Sequence, residues 1–258
     1  LEAGEEAMTA ANRQNFLERV RKAVAEGNRP GDSELPLPRK WVGRSRIDHD
    51  LVAAFCSALQ RAGGIPHAVE SWNDVGPLLK QLVQGAGGRN IVLSPGGWKE
   101  RVDLDWLFRP GPWKAWQPPL PCSDTWDMES PNEGDALKRQ LFAADLGVTG
   151  ADWLIAETGS VVLLSRPDQP RSVSLLPRVH IAIAESQRIL PDLYDLFEVC
   201  SPADLTANLT IITGPSKTGD IEMKLVTGVH GPEQVHVIVV RETPEFQKEA
   251  VPLSSTAP

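Results

Sequence analysis

The sequence predicts an α/β fold, a mainly parallel sheet flanked by helices with an N-terminal helical extension. Two observations predict it. Short β-rich apolar runs alternate with amphipathic helical stretches through residues 45–240, the pattern of a sheet covered on its faces by helices. The runs at 90–94, 179–184 and 235–240 are apolar at most positions, as strands buried on both faces require.

Each element has a local reason. Residues 5–26 place Met8, Phe16, Val20 and Val24 on one stripe with Leu17 beside them and stop at Gly27, which reads as an amphipathic helix. Residues 28–43 hold Pro30, Gly31, Pro36 and Pro38 and read as a linker or surface loop. Over 45–62, Ser45 and Asp48 have capping-box spacing, Ile47, Leu51, Phe55 and Leu59 recur every fourth position, and Gly63-Gly64 ends the helix. A strand at 65–69 follows, then a helix at 74–84 with Val75, Leu78, Leu79 and Leu82 inward. The buried strand at 90–94 is stopped by Pro95-Gly96-Gly97.

Residues 98–126 interleave Trp98, Trp106, Trp113, Trp116 and Trp126 with Pro110, Pro112, Pro118, Pro119 and Pro121. Indoles need burial, so this segment is expected to pack as an extended arm on the core edge, on a subunit interface or as a lid. A helix is expected over 133–146 through Leu137, Leu141, Phe142 and Leu146. Strands at 153–156 and 161–164 are joined by Glu157-Thr158-Gly159-Ser160 as in a hairpin. A strand at 179–184, a helix over 189–200 with Pro191 in its first turn, and buried strands at 208–213 and 235–240 complete the chain. The expected boundaries are a helix and linker over 1–44, one α/β domain over 45–245 and a tail over 246–258.

Composition narrows the function. At 258 residues with 41% hydrophobic and 23% charged residues, the chain falls in the ordinary globular class. A net charge of −8 argues against a nucleic-acid surface. No apolar run approaches the roughly 18–20 residues of a membrane span, and no signal-peptide pattern opens the sequence, so a cytoplasmic location is expected. Cys56, Cys122 and Cys200 stand far apart, without the C-x-x-C spacing of a cluster or zinc site. No metal set is therefore expected and the cofactor is left open. Cys56 and Cys200 read as core thiols.

Chemistry is expected to concentrate in residues 208–240. Two apolar runs there flank Ser216, Lys217, Thr218, Gly219, Asp220, Glu222 and His230, and ligands of open α/β sheets bind beyond the carboxyl ends of strands. Gly214 and Gly219 have P-loop spacing, but Asp220-Ile221 stand where Lys and Ser/Thr would be needed, which excludes that motif. Gly214, Ser216, Lys217 and Thr218 instead form a candidate anion cradle of hydroxyls, a cation and loop amides, against the plain reading of a capped turn. Asp220, a candidate acid–base group, and Glu222, a candidate ligand-binding carboxylate, share a face only if the segment is extended, the one form that favours a carboxylate pair or metal site; capping or solvated charges are the plain reading. His230 is a candidate proton carrier. Glu157 is a candidate general base beside Thr158, Gly159 and Ser160, whose turn amides would receive an anion; a surface or capping carboxylate is the plain alternative. His180 and His236 lie in strands and read as core or edge histidines, His180 being the better ligand-binding candidate. His49 and His67 have no supporting neighbours.

Three segments together carry a family resemblance: 156–163 (AETGSVVL), 175–181 (LLPRVHI) and 213–222 (TGPSKTGDIE) with 228–232 (GVHGP). They resemble the LUD-domain family, in its lactate-utilization branch. The match is close over 133–240. Ser160 stands where that family more often has Thr, and Lys217 and Gly219 where it has Arg and Ala. The resemblance implies a fold similar to the NagB/RpiA/CoA-transferase group and a part in oxidising L-lactate to pyruvate with two iron–sulfur partner proteins. By analogy with CoA transferases, it also implies a nucleophilic role for Glu157. Two function classes stay open: an enzyme subunit binding a small carboxylate or nucleotide-like ligand, and a non-catalytic assembly or regulatory subunit. The first requires the turns around Glu157 and His230 to converge on a shared polar mouth at the rim of the sheet.

Overall fold

The computed structural model describes residues 10–27, 50–94, 96–117, 139–166, 169–200, 208–218, 226–228 and 230–241. The chain divides into two units, residues 1–43 and 44–258. In the first, α1 (Ala10–Gly27) ends at the expected glycine and leaves Phe16 and Val20 exposed.

The second unit begins with α2 (Leu51–Ala62). Its cap is Asp50, whose carboxylate accepts the N–H groups of Val52 and Ala53 at 3.1 Å each. The start at Ser45 is thereby corrected, and residues 45–49 lie outside the described residues. Gly63, at φ 93°, closes the helix in the left-handed region. After β1 (Ile65–Val69), α3 (Trp72–Ala86) starts earlier than expected because Ser71 and Asp74 form a capping box.

The chain then runs through β2 (Asn90–Leu93), a 3₁₀ turn (Gly97–Arg101), α4 (Asp105–Phe108) and β3 (Lys114–Trp116). Residues 98–116 are therefore not an extended arm. They form two short helical pieces and an edge strand, and Trp98 is buried with Trp106 and Trp113 packed on the same core. Residues 118–138, with Trp126, lie outside the described residues. The helix expected over 133–146 is also corrected. Residues 139–142 are helical, Phe142 is exposed, and Leu146 opens β4 (Leu146–Gly150).

Next come β5 (Trp153–Ile155), β6 (Ser160–Leu164), α5 (Ser172–Leu175), β7 (Val179–Glu185) and β8 (Ile189–Leu190). α6 (Leu193–Val199) begins behind Asp192, so Pro191 precedes the helix rather than opening it. β9 (Leu209–Ile212), β10 (Lys217–Thr218), β11 (Val226–Thr227) and β12 (Gln234–Val240) follow.

Among the described residues, the main sheet has six parallel strands in the order β1-β12-β7-β4-β2-β3. Alternation along β12 feeds two cores. Ile238 and Val240 join α3 and Trp98 on one face, while Val235, Val237 and Val239 join Phe55 and Leu59 of α2 and Leu154 and Val161 on the other. A second sheet, β8-β5-β6-β9, is antiparallel apart from its β5–β8 pair and packs over α2. β9 belongs to this smaller sheet. Among the described residues it pairs only with β6, which leaves Ile211 exposed and corrects the expectation of a buried strand at 208–213.

Candidate functional site

The second half of α2 is the spine on which the candidate loops are mounted. Gly159 has φ 68°, and a Cβ there would collide with the backbone of Ala58 and Leu59. Gly214 has φ 74°, and its Cβ would lie 2.6 Å from the carbonyl oxygen of Ala62. Both turns need glycine twice over, for the left-handed backbone and for the close approach. Lys217 completes the attachment, its Nζ donating to the Ala62 carbonyl at 2.7 Å. An ammonium there meets the unsatisfied carbonyls and negative dipole end of α2.

Strand pairing then lines up three hydroxyls. β6 and β9 pair with Val161 opposite Ile212, so Ser160 and Thr213 face each other one step further along. Thr158 Oγ1 lies 2.6 Å from Ser160 Oγ, and Ser160 Oγ lies 2.7 Å from Thr213 Oγ1. Ser160 is buried between its two neighbours. Three hydroxyls carry three protons and two links use two, so the ladder keeps one donor, which lies on an end threonine when Ser160 donates to one of its neighbours. Glu157 stands exposed at the head of this turn, its N–H donating to the Pro191 carbonyl at 3.0 Å.

The segment carrying His230 joins the same rim through Ser216. The Ser216 N–H donates to the Pro232 carbonyl at 2.8 Å and its carbonyl accepts the Gly228 N–H at 2.9 Å. A Cβ on Gly231 would touch the Ser216 side chain at 3.2 Å. Lys217 and Thr218 pair with Thr227 and Val226. His230 is exposed immediately before Gly231. Ser160 thus ties turn 157–160 to loop 213–218, and Ser216 ties that loop to Gly228 and Pro232. Asp220 and Glu222 lie outside the described residues. Thr213 was not among the candidates, although a hydroxyl closing a strand just before Gly-Pro was a visible signal.

The rim lies elsewhere than expected on the main sheet. Residues 230–232 lead into β12, Arg178 precedes β7, and the end of α2 leads into β1, so these loops gather at the amino ends of parallel strands. The chain leaves β9 toward the rim, but β9 is in the small sheet. Glu233 and Arg178 mark the same end with two hydrogen bonds of 2.9 and 3.2 Å. The hydrogen bond from Arg178 holds the Glu233 carboxyl below its ordinary value.

The histidines within strands belong to the interior. His180 is fully buried on β7, with Nε2 2.9 Å from Thr149 Oγ1 and no partner for Nδ1 among the described residues. Burial, reinforced by the charge of His236, pushes its pKa down to about 3. His180 is therefore a neutral core group, and its candidacy as a rim ligand is corrected. His67, expected to have no supporting neighbour, stacks on His236 at 5.3 Å with Nε2 3.0 Å from His236 Nδ1. Burial, with His67 adding to it, lowers His236 to about 4, and burial lowers His67. Among the described residues no group of three or more His, Cys, Asp or Glu is placed to hold a metal, and no helix is long and apolar enough to cross a membrane.

With this geometry in view, residues 52–240 match a family model described as LUD domain. Lactate utilization protein C of Bacillus licheniformis is 39% identical over 248 residues, covering 91% of this chain and 98% of that protein. Its Bacillus subtilis counterpart is 28% identical over 251 residues with the same coverage. The one from Halalkalibacterium halodurans is 40% identical over 124 residues, 46% of this chain and 53% of that protein. A crystal structure of a DUF162 family protein from Deinococcus radiodurans aligns with a TM-score of 0.43 and 22% identity, covering 74% of this chain and 96% of that one.

Proposed function

We propose, from the premise that this chain belongs to the LUD domain family, that it serves lactate utilization as a cytoplasmic subunit of an L-lactate-oxidising system with iron–sulfur partner proteins. The observation that carries the reading is the near full-length match to lactate utilization protein C. In this reading residues 45–245 are the working LUD unit, 1–44 a helical extension and 246–258 a tail.

Lactate oxidation to pyruvate releases two electrons and two protons. The electrons go to the iron–sulfur partners, and this chain's share is to hold the acid and handle protons. With Ser160 donating to one threonine, the Thr158–Ser160–Thr213 ladder offers that threonine's O–H to a carboxylate oxygen, and Lys217 supplies positive charge at the end of α2. Glu157 and His230, both exposed on the rim, are the proton acceptors.

The test is lactate oxidation reconstituted from the partners with and without this chain, together with Glu157→Gln and His230→Gln. The expected result is a rate that needs the chain and falls about 100-fold in the variants, the scale of a lost general base. An undiminished rate without the chain removes the catalytic role.

One observation favours a second reading, that of an assembly subunit. Tyr194, Phe197 and Val199 all stand exposed on the short helix α6. That reading predicts that Phe197→Asp abolishes co-purification with the partners, while Glu157→Gln leaves the reconstituted rate intact.

A further inference from the structure

Burial gives the hydroxyl ladder a polarity. Ser160 is 1% exposed, and among the described residues its Oγ meets only Thr158 Oγ1 and Thr213 Oγ1. A buried O–H without an acceptor costs stability, so Ser160 gives its proton to one of the two threonines. The link to the other threonine is then made by that threonine's own proton. One end of the ladder therefore presents an O–H outward, and the other end presents only lone pairs. Turning all three hydroxyls together exchanges the ends without changing this count.

Both ends reach the surface and both are held in place. Thr213 is exposed and Thr158 half-buried, each within 2.7 Å of the same Ser160 oxygen. Gly159 seats the turn of Thr158 against the backbone of Ala58 and Leu59, and Gly214 seats the loop after Thr213 against the Ala62 carbonyl. One helix thus fixes the spacing of the two hydroxyls. Lys217 Nζ donates to that same Ala62 carbonyl, which puts positive charge in the loop that Thr213 opens. Charge of that sign favours an anion and disfavours a ligand carrying an ammonium group.

We infer that the rim selects 2-hydroxy monocarboxylates over 2-oxo monocarboxylates, with Thr158 and Thr213 as specificity-determining residues and Ser160 as the positioning residue that sets one as donor and the other as acceptor. A 2-hydroxy acid has a carboxylate to accept from the donor end and a neighbouring O–H to give to the acceptor end. A 2-oxo acid offers acceptors only, so its carbonyl oxygen would face the lone pairs of the second threonine. A site built to pair a ligand hydroxyl rejects the analogue that lacks it. This selectivity rests on the rim being the acid site proposed above. It means that the hydroxy acid is retained while its oxidised product is let go.

The experiment is calorimetric titration of the full chain with L-lactate, pyruvate and propionate. L-Lactate should bind about tenfold tighter than pyruvate, the scale of one hydrogen bond made against one left unmade. Propionate, with no oxygen at its second carbon, should fall short of lactate. Ser160→Ala frees both threonines to donate, so it should bring the lactate-to-pyruvate ratio within about threefold by strengthening pyruvate, while Ser160→Thr keeps the native ratio. A merely structural serine would weaken both acids alike. Thr213→Val, at an exposed position, removes one end of the ladder and should also collapse the ratio, by weakening lactate. Equal binding of lactate and pyruvate by the native chain, or a ratio that survives Ser160→Ala or Thr213→Val, overturns the selectivity and leaves the acid site standing. Binding of none of the three acids removes the acid site and the selectivity with it.

Discussion

Gly159 concentrates the most constraint of any residue in the candidate rim. Its positive φ and its contact with the α2 backbone act together, so Gly159→Ala should destabilise by on the order of 3 kcal/mol, read from the urea midpoint. Ser160 is the middle rung of the hydroxyl ladder, and Ser160→Ala leaves Thr158 and Thr213 without their shared partner. A loss of about 1–2 kcal/mol is expected, with Ser160→Thr retaining most of it. The interior histidines give a pH dependence whose sign follows from their lowered values, about 3 for His180 and about 4 for His236. The unfolded chain binds these protons from about pH 6.5 downward while the folded chain does not. Stability is thus fully present above about pH 6.5 and falls with decreasing pH, by up to roughly 1.4 kcal/mol per pH unit for each histidine. Urea midpoints between pH 7.5 and 5 should show this slope, and His236→Gln should flatten it. A level profile would contradict the assignment.

At the scale of elements, α2 links fold to site, because the loops of the rim rest on its second half. Both of its ends are held by side chains. Asp50→Ala removes the N-cap and should cost about 1 kcal/mol. Lys217→Ala removes the ammonium from the Ala62 carbonyl and should cost about 0.5 kcal/mol, less at high salt. The same variant tests ligand binding: a carboxylate held by Lys217 should lose more affinity at low salt than at high salt, whereas a purely capping lysine would leave affinity unchanged. The glycine end of this helix is legible in the sequence, whereas its start is displaced from Ser45 to the Asp50 cap. Ser45 and Asp50 both offer capping oxygens, and only the folded backbone shows which one receives the N–H groups. The helix expected over 133–146 failed for a related reason. Leu146 fits the helical stripe, but pairing with Ile91 and Val179 draws it into the sheet.

For the whole molecule, the residues of both core faces of the main sheet come from the second unit, so a chain lacking residues 1–44 should still fold, with a Tm within about 4 °C of the full chain. A shift of 10 °C or more would show that the first unit supports the second. Much of the parallel sheet was legible because its strands are apolar runs bounded by turn residues, and such runs declare themselves locally. Of the second sheet the β5–β6 hairpin was legible too, but the place of β9 in it was not, since β9 and β12 look alike as sequence and differ only in the partners they find.

What the sequence by itself determined is the set of pieces: the α/β class, most strands, the glycine-bearing turns at 157–160 and 213–218, and the motifs that place the chain in the LUD domain family. Strand propensity, turn chemistry and apolar spacing act over a few residues, so they can be read in order along the chain. The tertiary structure alone decided that Ser160 meets Thr213, that His67 stacks on His236, that the rim sits at the amino ends of the main sheet, and that β9 joins β6 rather than the main sheet. Each of these is a contact or an ordering between distant segments, set by which faces can be buried together, and no local preference encodes it.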